Sequence, residues 1–388
     1  MLSKSVKQAI VLLFMTLVFF LGVHFWLTDK KGVLQTVYPL PASFSELTIK
    51  CDGRAPFWLK DMMRDGLWEL KALSSQIAYI NSDGKLHHCE SGWQRRSLFS
   101  ERTSKNSRYR YGSLTKPITS AAILLSVEKG ILSLDTSFLS LLSGGGFEKK
   151  SQVSPQGKLS VEALMRHESG VVGEIFVEKK KPWCPYQMTE LGRVKFHTLE
   201  AGKHEYSNLG YCILGEVISR KLNGDYRTIV SDMFDFYSLG IRFAGEQGFP
   251  DEVWHDYRFH DFYGPSVLPE FDYYAVSSTA GMTGSATAYA LLMRDILARD
   301  IADFLGTDSD RCNFYQIRQC YGNAFYQYIA PNGDSFNVKE GYMPGSSGVV
   351  VINDDKEIFV WLGNSDTLNA RDGERMKNFI DVLARGPF

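Results

Sequence analysis

Residues Ala9 to Leu27 read AIVLLFMTLVFFLGVHFWL, an apolar run in which His24 is the only ionisable side chain. A helix of about 20 such residues crosses the hydrocarbon of a bilayer. The run therefore separates the N-terminus from whatever folds after it. Lys4 and Lys7 precede it, and Asp29, Lys30 and Lys31 follow it. Lysines on both sides give the positive-inside rule only a slight lean towards a cytoplasmic N-terminus. A cleaved signal peptide is the competing reading. The run is long for the apolar part of such a signal, and no small-x-small cleavage site follows it. The expectation is an uncleaved transmembrane anchor at 9–27 behind a cytoplasmic tail of residues 1–8. Phe25 and Trp26 fit an interfacial aromatic belt.

Gly32, Pro39 and Pro41 interrupt any pattern over residues 28–45, which read as a linker. The 388-residue chain leaves residues 46–388 for one large domain, or two intertwined subdomains. Its formal net charge is −1, with a pI near 6.7. A nucleic-acid partner would call for a basic surplus, so that class is set aside. Arg108-Tyr109-Arg110 and Lys179-Lys180-Lys181 are local clusters that solvated loops explain as well.

Six cysteines, an even number, permit disulfides in an exported chain. Cys312 and Cys320 are close enough to close a small loop, and Cys51 and Cys89 could also pair. Cys212 falls at a buried-looking helical position, where a reduced core thiol is expected. The sequence shows no CxxC or Cys/His spacing of the kind that holds zinc.

Ile77–Ile80 followed by Asn81-Ser82-Asp83-Gly84 reads as a strand entering a turn. Residues 114–129 carry Ile118, Ala121, Ile123, Leu124 and Val127 near helical spacing, closed by Gly130. Further helices are expected over 161–167, 210–222, 287–299 and 371–385. Residues 348–352 and 357–362, joined through Asn353-Asp354-Asp355, read as a β-hairpin. Strands from both ends of the chain thus build one sheet, with helices inserted between them. The segments 170–204 and 242–274 show no pattern that converts into specificity. Their aromatics Phe259, Phe262, Tyr263, Phe271, Tyr273 and Tyr274 are expected to pack.

Ser113-Leu114-Thr115-Lys116 places a hydroxyl and an amine one turn apart at a helix start. A buried lysine there can take the serine proton, and the helix N-terminus directs N–H groups at an oxyanion. Taken alone, the four residues fit a helix cap with an exposed lysine equally well. Other segments follow in order: Leu164-Met165-Arg166-His167-Glu168-Ser169-Gly170, Tyr206-Ser207-Asn208, Ser278-Thr279-Ala280-Gly281-Met282, and Lys339-Glu340-Gly341-Tyr342-Met343-Pro344-Gly345.

In that order, over about residues 75–385, the chain resembles the serine β-lactamase and penicillin-binding protein superfamily. The similar branch holds class C β-lactamases, D-Ala-D-Ala carboxypeptidases and related esterases. The resemblance implies an α/β (α+β) fold, with an antiparallel sheet flanked by helices and a mostly helical subdomain at about 130–300. It implies Ser113 as the acylated nucleophile and Lys116 as its partner. Tyr206 would be the general base, its phenol lowered from about 10 by neighbouring cations. Asn208 would hold the substrate. Lys339 would supply a cation beside Tyr206, Gly341 would leave room for substrate, and Tyr342 would give the second oxyanion N–H beside that of Ser113. His167 would be structural.

Glu340 departs from the family pattern, which has a small hydroxyl residue there. Facing the cleft, its carboxylate would repel a substrate carboxylate, favouring an esterase or peptidase over a true β-lactamase. The expected activity is cleavage of an ester or amide of a small molecule or peptide through an acyl-enzyme, with no cofactor and no metal. The alternative is a catalytically weak protein on the same fold that binds cell-wall peptide or a partner. With the anchor, the resemblance implies a single-pass protein of the bacterial inner membrane, its domain in the periplasm.

Overall fold

A computed structural model describes residues 3–97, 100–142, 159–172, 195–196, 203–260, 272–302, 304–306, 312–367 and 373–388. Lys179–Lys181, Cys184, Phe262, Tyr263, Phe271 and Arg371 lie outside them. The chain divides into two compact units, Met1–Phe44 and Ser45–Phe388.

In the first unit, helix α1 (Lys4–Thr28) is exposed along its whole length. Its mean hydropathy reaches 2.4, and it is long and apolar enough to cross a membrane. Helices α2 (Lys30–Thr36) and α3 (Pro39–Glu46) follow. The expectation of unpatterned chain over 28–45 is corrected here. Pro39 opens a helix rather than breaking one, because the first turn needs no amide donor, and Pro41 is tolerated there for the same reason.

The second unit runs through β1 (Lys50–Cys51), α4 (Phe57–Trp68), β2 (Ser75–Ile80), β3 (Leu86–Ser91) and β4 (Tyr109–Arg110), then a 3₁₀ turn at Gly112–Leu114 and α5 (Thr115–Glu128). Then come α6 (Phe138–Leu142), α7 (Val161–Met165), β5 (Val171–Val172), β6 (Lys195–Phe196), α8 (Asn208–Lys221), α9 (Tyr226–Met233), α10 (Phe236–Leu239) and β7 (Arg242–Phe243). The chain closes with β8 (Met282–Gly284), α11 (Ala286–Leu297), β9 (Cys320–Tyr321), β10 (Tyr326–Ile329), β11 (Ser335–Met343), β12 (Ser346–Asn353), β13 (Ile358–Gly363) and α12 (Glu374–Ala384).

The main sheet is antiparallel and eight-stranded, in the order β1-β3-β2-β13-β12-β11-β10-β9. Both ends of the chain build it, as expected, joined where β2 pairs with β13. Alternate residues of each strand face opposite sides, which creates two cores. Val350, Ile352, Val360 and Leu362 face α5, α8 and α11. Val349, Val351, Phe359 and Trp361 face α4 and α12. Helix α5 has buried residues on every side, Thr115 to Ser126, so it runs through the interior and needs no polar face. Of the aromatics expected to pack, Phe259 and Tyr273 are buried.

Cys51–Cys89 and Cys312–Cys320 are disulfides. Cys212 is disulfide-bonded as well, which corrects the expected reduced thiol. Burial of a cysteine does not distinguish a thiol from half of a bridge, and that is why the helical pattern misled.

Candidate active site

Ser113 sits in the tight turn before α5, and that turn is pressed against β11. Gly112 has φ +54, and a Cβ there would lie 2.6 Å from Tyr342 N. A Cβ on Gly341 would collide with the carbonyl oxygen of Tyr111. Two missing side chains thus let backbone meet backbone. The contact brings the Tyr342 backbone beside the Ser113 turn.

Lys116, one turn along α5, is fully buried. Its Nζ donates to Ser113 Oγ at 2.9 Å, to Asn208 Oδ1 at 2.8 Å, and to the carbonyl and hydroxyl oxygens of Thr279 at 3.1 and 3.3 Å. Thr279 Oγ1 also donates to Asn208 Oδ1, at 3.1 Å. Asn208 is placed by its helix: Ser207 Oγ accepts from Gly210 N at 3.0 Å, which caps α8 and sets Asn208 in its first turn.

Tyr206 donates its hydroxyl to Ser113 Oγ at 2.8 Å. Ser113 Oγ therefore stands between an amine and a phenol. The expected lowering of the phenol is not what the surroundings produce. Burial pushes Tyr206 upward, and the hydrogen bond to Ser113 and the Arg318 charge only partly oppose it. The residue keeps 41% of its surface open, so water moderates the rise. It remains a phenol, not a phenolate, near neutrality.

Lys339 Nζ lies 5.1 Å from the Tyr206 ring centroid and 4.5 Å from that of Tyr321. Burial lowers it to about 7, against a partial lift from Glu340. It is thus a half-charged amine at neutral pH rather than the fixed cation expected.

Glu340 alternates with Lys339 along β11 and so projects from the opposite face of the strand. It is buried, forms an ion pair with Arg318, and accepts from Tyr342 Oη at 3.3 Å. Whether Glu340 faces the cleft was open in the sequence, and its carboxylate is covered and paired with Arg318.

His167 is buried and has φ +60. Its ring lies 4.3 Å from that of Tyr206, and its Nδ1 accepts from Ser207 N at 3.1 Å. Burial and the nearby Lys339, His204 and Lys116 hold its pKa well below the usual range, so the ring is neutral. That fits a packing partner, not a base.

Thr279 stands in one of the ordered segments, where the sequence assigns it no role, and Arg318 and Tyr321 escape sequence reasoning altogether. Tyr321 lies in a two-residue strand with no periodicity to reveal it, and Arg318 just before that strand. Among the described residues, no group of three or more His, Cys, Asp or Glu is placed to hold a metal ion.

The β-lactamase family model matches residues 66–382, most of the chain and all of this site. The chain belongs to the β-lactamase family. A relative, "Putative fimbrial assembly protein FimD, serogroup D" of Dichelobacter nodosus, is 30% identical over 334 residues, 84% of this chain and 83% of its own. Among solved structures, a β-lactamase/D-alanine carboxypeptidase from Pseudomonas syringae aligns with a TM-score of 0.63 at 15% identity, covering 85% of this chain and 98% of its own. A D-amino acid amidase from Ochrobactrum anthropi SV3 gives 0.63 at 15% identity, covering 84% and 99%. At these identities the two structures establish a shared fold. The β-lactamase family is one of serine hydrolases, and its antiparallel sheet with flanking helices is the architecture seen here.

Proposed function

We propose that this protein hydrolyses an ester or amide through an acyl-enzyme on Ser113. The observation that carries the reading is Ser113 Oγ within 2.9 Å of Lys116 Nζ and 2.8 Å of Tyr206 Oη. Lys116, when unprotonated, takes the Ser113 proton as Oγ bonds to the substrate carbonyl carbon. The N–H groups of Ser113 and Tyr342 hold the resulting oxyanion. Tyr206, a phenol rather than a phenolate at rest, gives its proton to the leaving oxygen or nitrogen as that bond breaks. The Lys116 proton then passes to the Tyr206 phenolate, whose ring lies 4.9 Å from Lys116 Nζ, through water and not through the acylated Ser113 Oγ, which has no exchangeable proton. Water attacks the ester in the second half, losing its proton to the same pair, and Ser113 leaves as the alcohol. Asn208 keeps Lys116 in line and faces the substrate, Lys339 adds positive potential, and Gly341 leaves the passage open.

Pairing of Glu340 with Arg318 removes the carboxylate that would have opposed an anionic substrate, and with it the main motive for a non-catalytic binding role. A peptide or small-molecule ester or amide is the substrate class. The long apolar α1 supports a membrane-anchored protein, and the disulfides support an oxidising space such as the periplasm for the domain. The test is labelling with a fluorophosphonate and turnover of a chromogenic short-chain ester. Mass spectrometry should place the adduct on Ser113. An adduct or an acylation burst that persists in Ser113→Ala would end the assignment.

A further inference from the structure

Tyr321 supports the site's cation without taking part in the acyl transfer. Lys339 Nζ donates to Tyr321 Oη at 3.5 Å and lies closer to the Tyr321 ring than to that of Tyr206. An ammonium between two phenol rings is stabilised by both faces, more so where water is excluded. The Tyr321 ring is itself wedged. It stacks on His204 at 4.6 Å and meets His167 edge-on at 5.2 Å.

Strand β9, which carries Tyr321, is weakly held. It is two residues long, lies at the sheet edge, and pairs on one side only, Tyr321 with Tyr326 and Cys320 with Gln327. So short a ladder gives little resistance to fraying. The preceding residue pins it: buried Cys320 is bonded to Cys312. The loop closed by that bridge also carries Arg318, the partner of Glu340.

We propose that Tyr321 is a positioning residue that holds the Lys339 ammonium against Tyr206, and that the Cys312–Cys320 disulfide fixes the strand presenting it. The proposal rests on the acyl-enzyme reading above. It makes the third-motif side of the cleft complete only after oxidation, so the thiol form of the same chain carries a loosened Lys339. Among the described residues, the other charged or titratable groups coupled to Lys339 are Glu340, Arg318, His167 and His204, and Tyr321→Phe leaves all of them in place.

The test is the rate of fluorophosphonate labelling of the full-length protein in detergent, followed from pH 5 to 9. The contribution of charged Lys339 falls as pH rises through about 7. Removing the Tyr321 hydroxyl deprives the ammonium of an acceptor, so in Tyr321→Phe the fall sets in about half a unit lower. Labelling at pH 7 drops by about twofold. Cys312→Ser/Cys320→Ser slows labelling in the same sense. A Tyr321→Phe profile that overlays the parent overturns the positioning role while Ser113 chemistry stands. No Ser113 adduct in the parent overturns the acyl-enzyme reading instead. Parent-like labelling of the folded double variant removes the disulfide from the proposal. If that variant does not fold, the Tyr321→Phe arm decides alone.

Discussion

Ser113 Oγ accepts from both Lys116 and Tyr206, so removing either partner acts on the same atom. Lys116→Met keeps the buried volume and removes the amine. It should lower kcat/KM for ester turnover by about 10²–10⁴, with the fold kept by circular dichroism. Lys339 gives a second prediction, on stability. Its pKa is about 7 in the folded protein, against 10.5 for an unperturbed lysine. Below pH 7 both states carry the proton, and folding bears the full cost of burying the charge. Between 7 and 10.5 the unfolded chain binds more protons, so stability rises with pH. Lys339→Met should therefore raise Tm most at pH 6, and the gain should shrink as pH approaches 10. Thermal melts of both proteins at pH 6 and 9.5 check this, and an equal gain at both would refute the burial of a charge. Ser113 and Lys116 were legible as a pair because one helical turn fixes their spacing, whereas Tyr206 and Asn208 were reached only through the resemblance to the family. Glu340 was not, since its meaning depends on Arg318, which meets it only in the fold.

Between elements, the contact that builds the site is the 3₁₀ turn against β11. Gly112→Ala must place a Cβ against the Tyr342 backbone from a left-handed φ, at a cost of about 1–3 kcal/mol. The strand would yield by a fraction of an ångström, and such displacements cost up to about 10²-fold in rate. The expected result is a folded protein with modestly lower Tm and sharply slower acylation, read by calorimetry and labelling. Unchanged acylation would mean that the Tyr342 backbone is not part of the machinery. Long elements were readable: α5, α8, α11, β12 and β13 lie close to where periodicity put them. Short ones were not. Strand β9 is too brief to carry a pattern, and α3 was hidden by prolines that in fact begin it.

For the whole molecule, the long apolar α1 and the disulfides both support the proposed membrane-anchored, oxidising setting. A version lacking residues 1–28 should leave the membrane fraction and keep its ester turnover. Activity lost on release would assign α1 a part in the site. In the intact protein, a C-terminal tag should be open to protease added from the periplasmic side. The fold class came through from the resemblance, with the order of strands and helices in agreement, whereas the substrate did not, because residues 170–204 and 242–274 carry no periodic signal. The junction of β2 with β13 has its own consequence. Ile80 pairs with Ile358 and Ser75 with Gly363, so the sheet behind Ser113 closes only when the last strand is available. During synthesis β1, β3 and β2 can pair with one another, but the other edge of β2 must wait until nearly the whole chain has left the ribosome. The site around Ser113 is then completed only when its last strands have been made, a delay set by strand order alone.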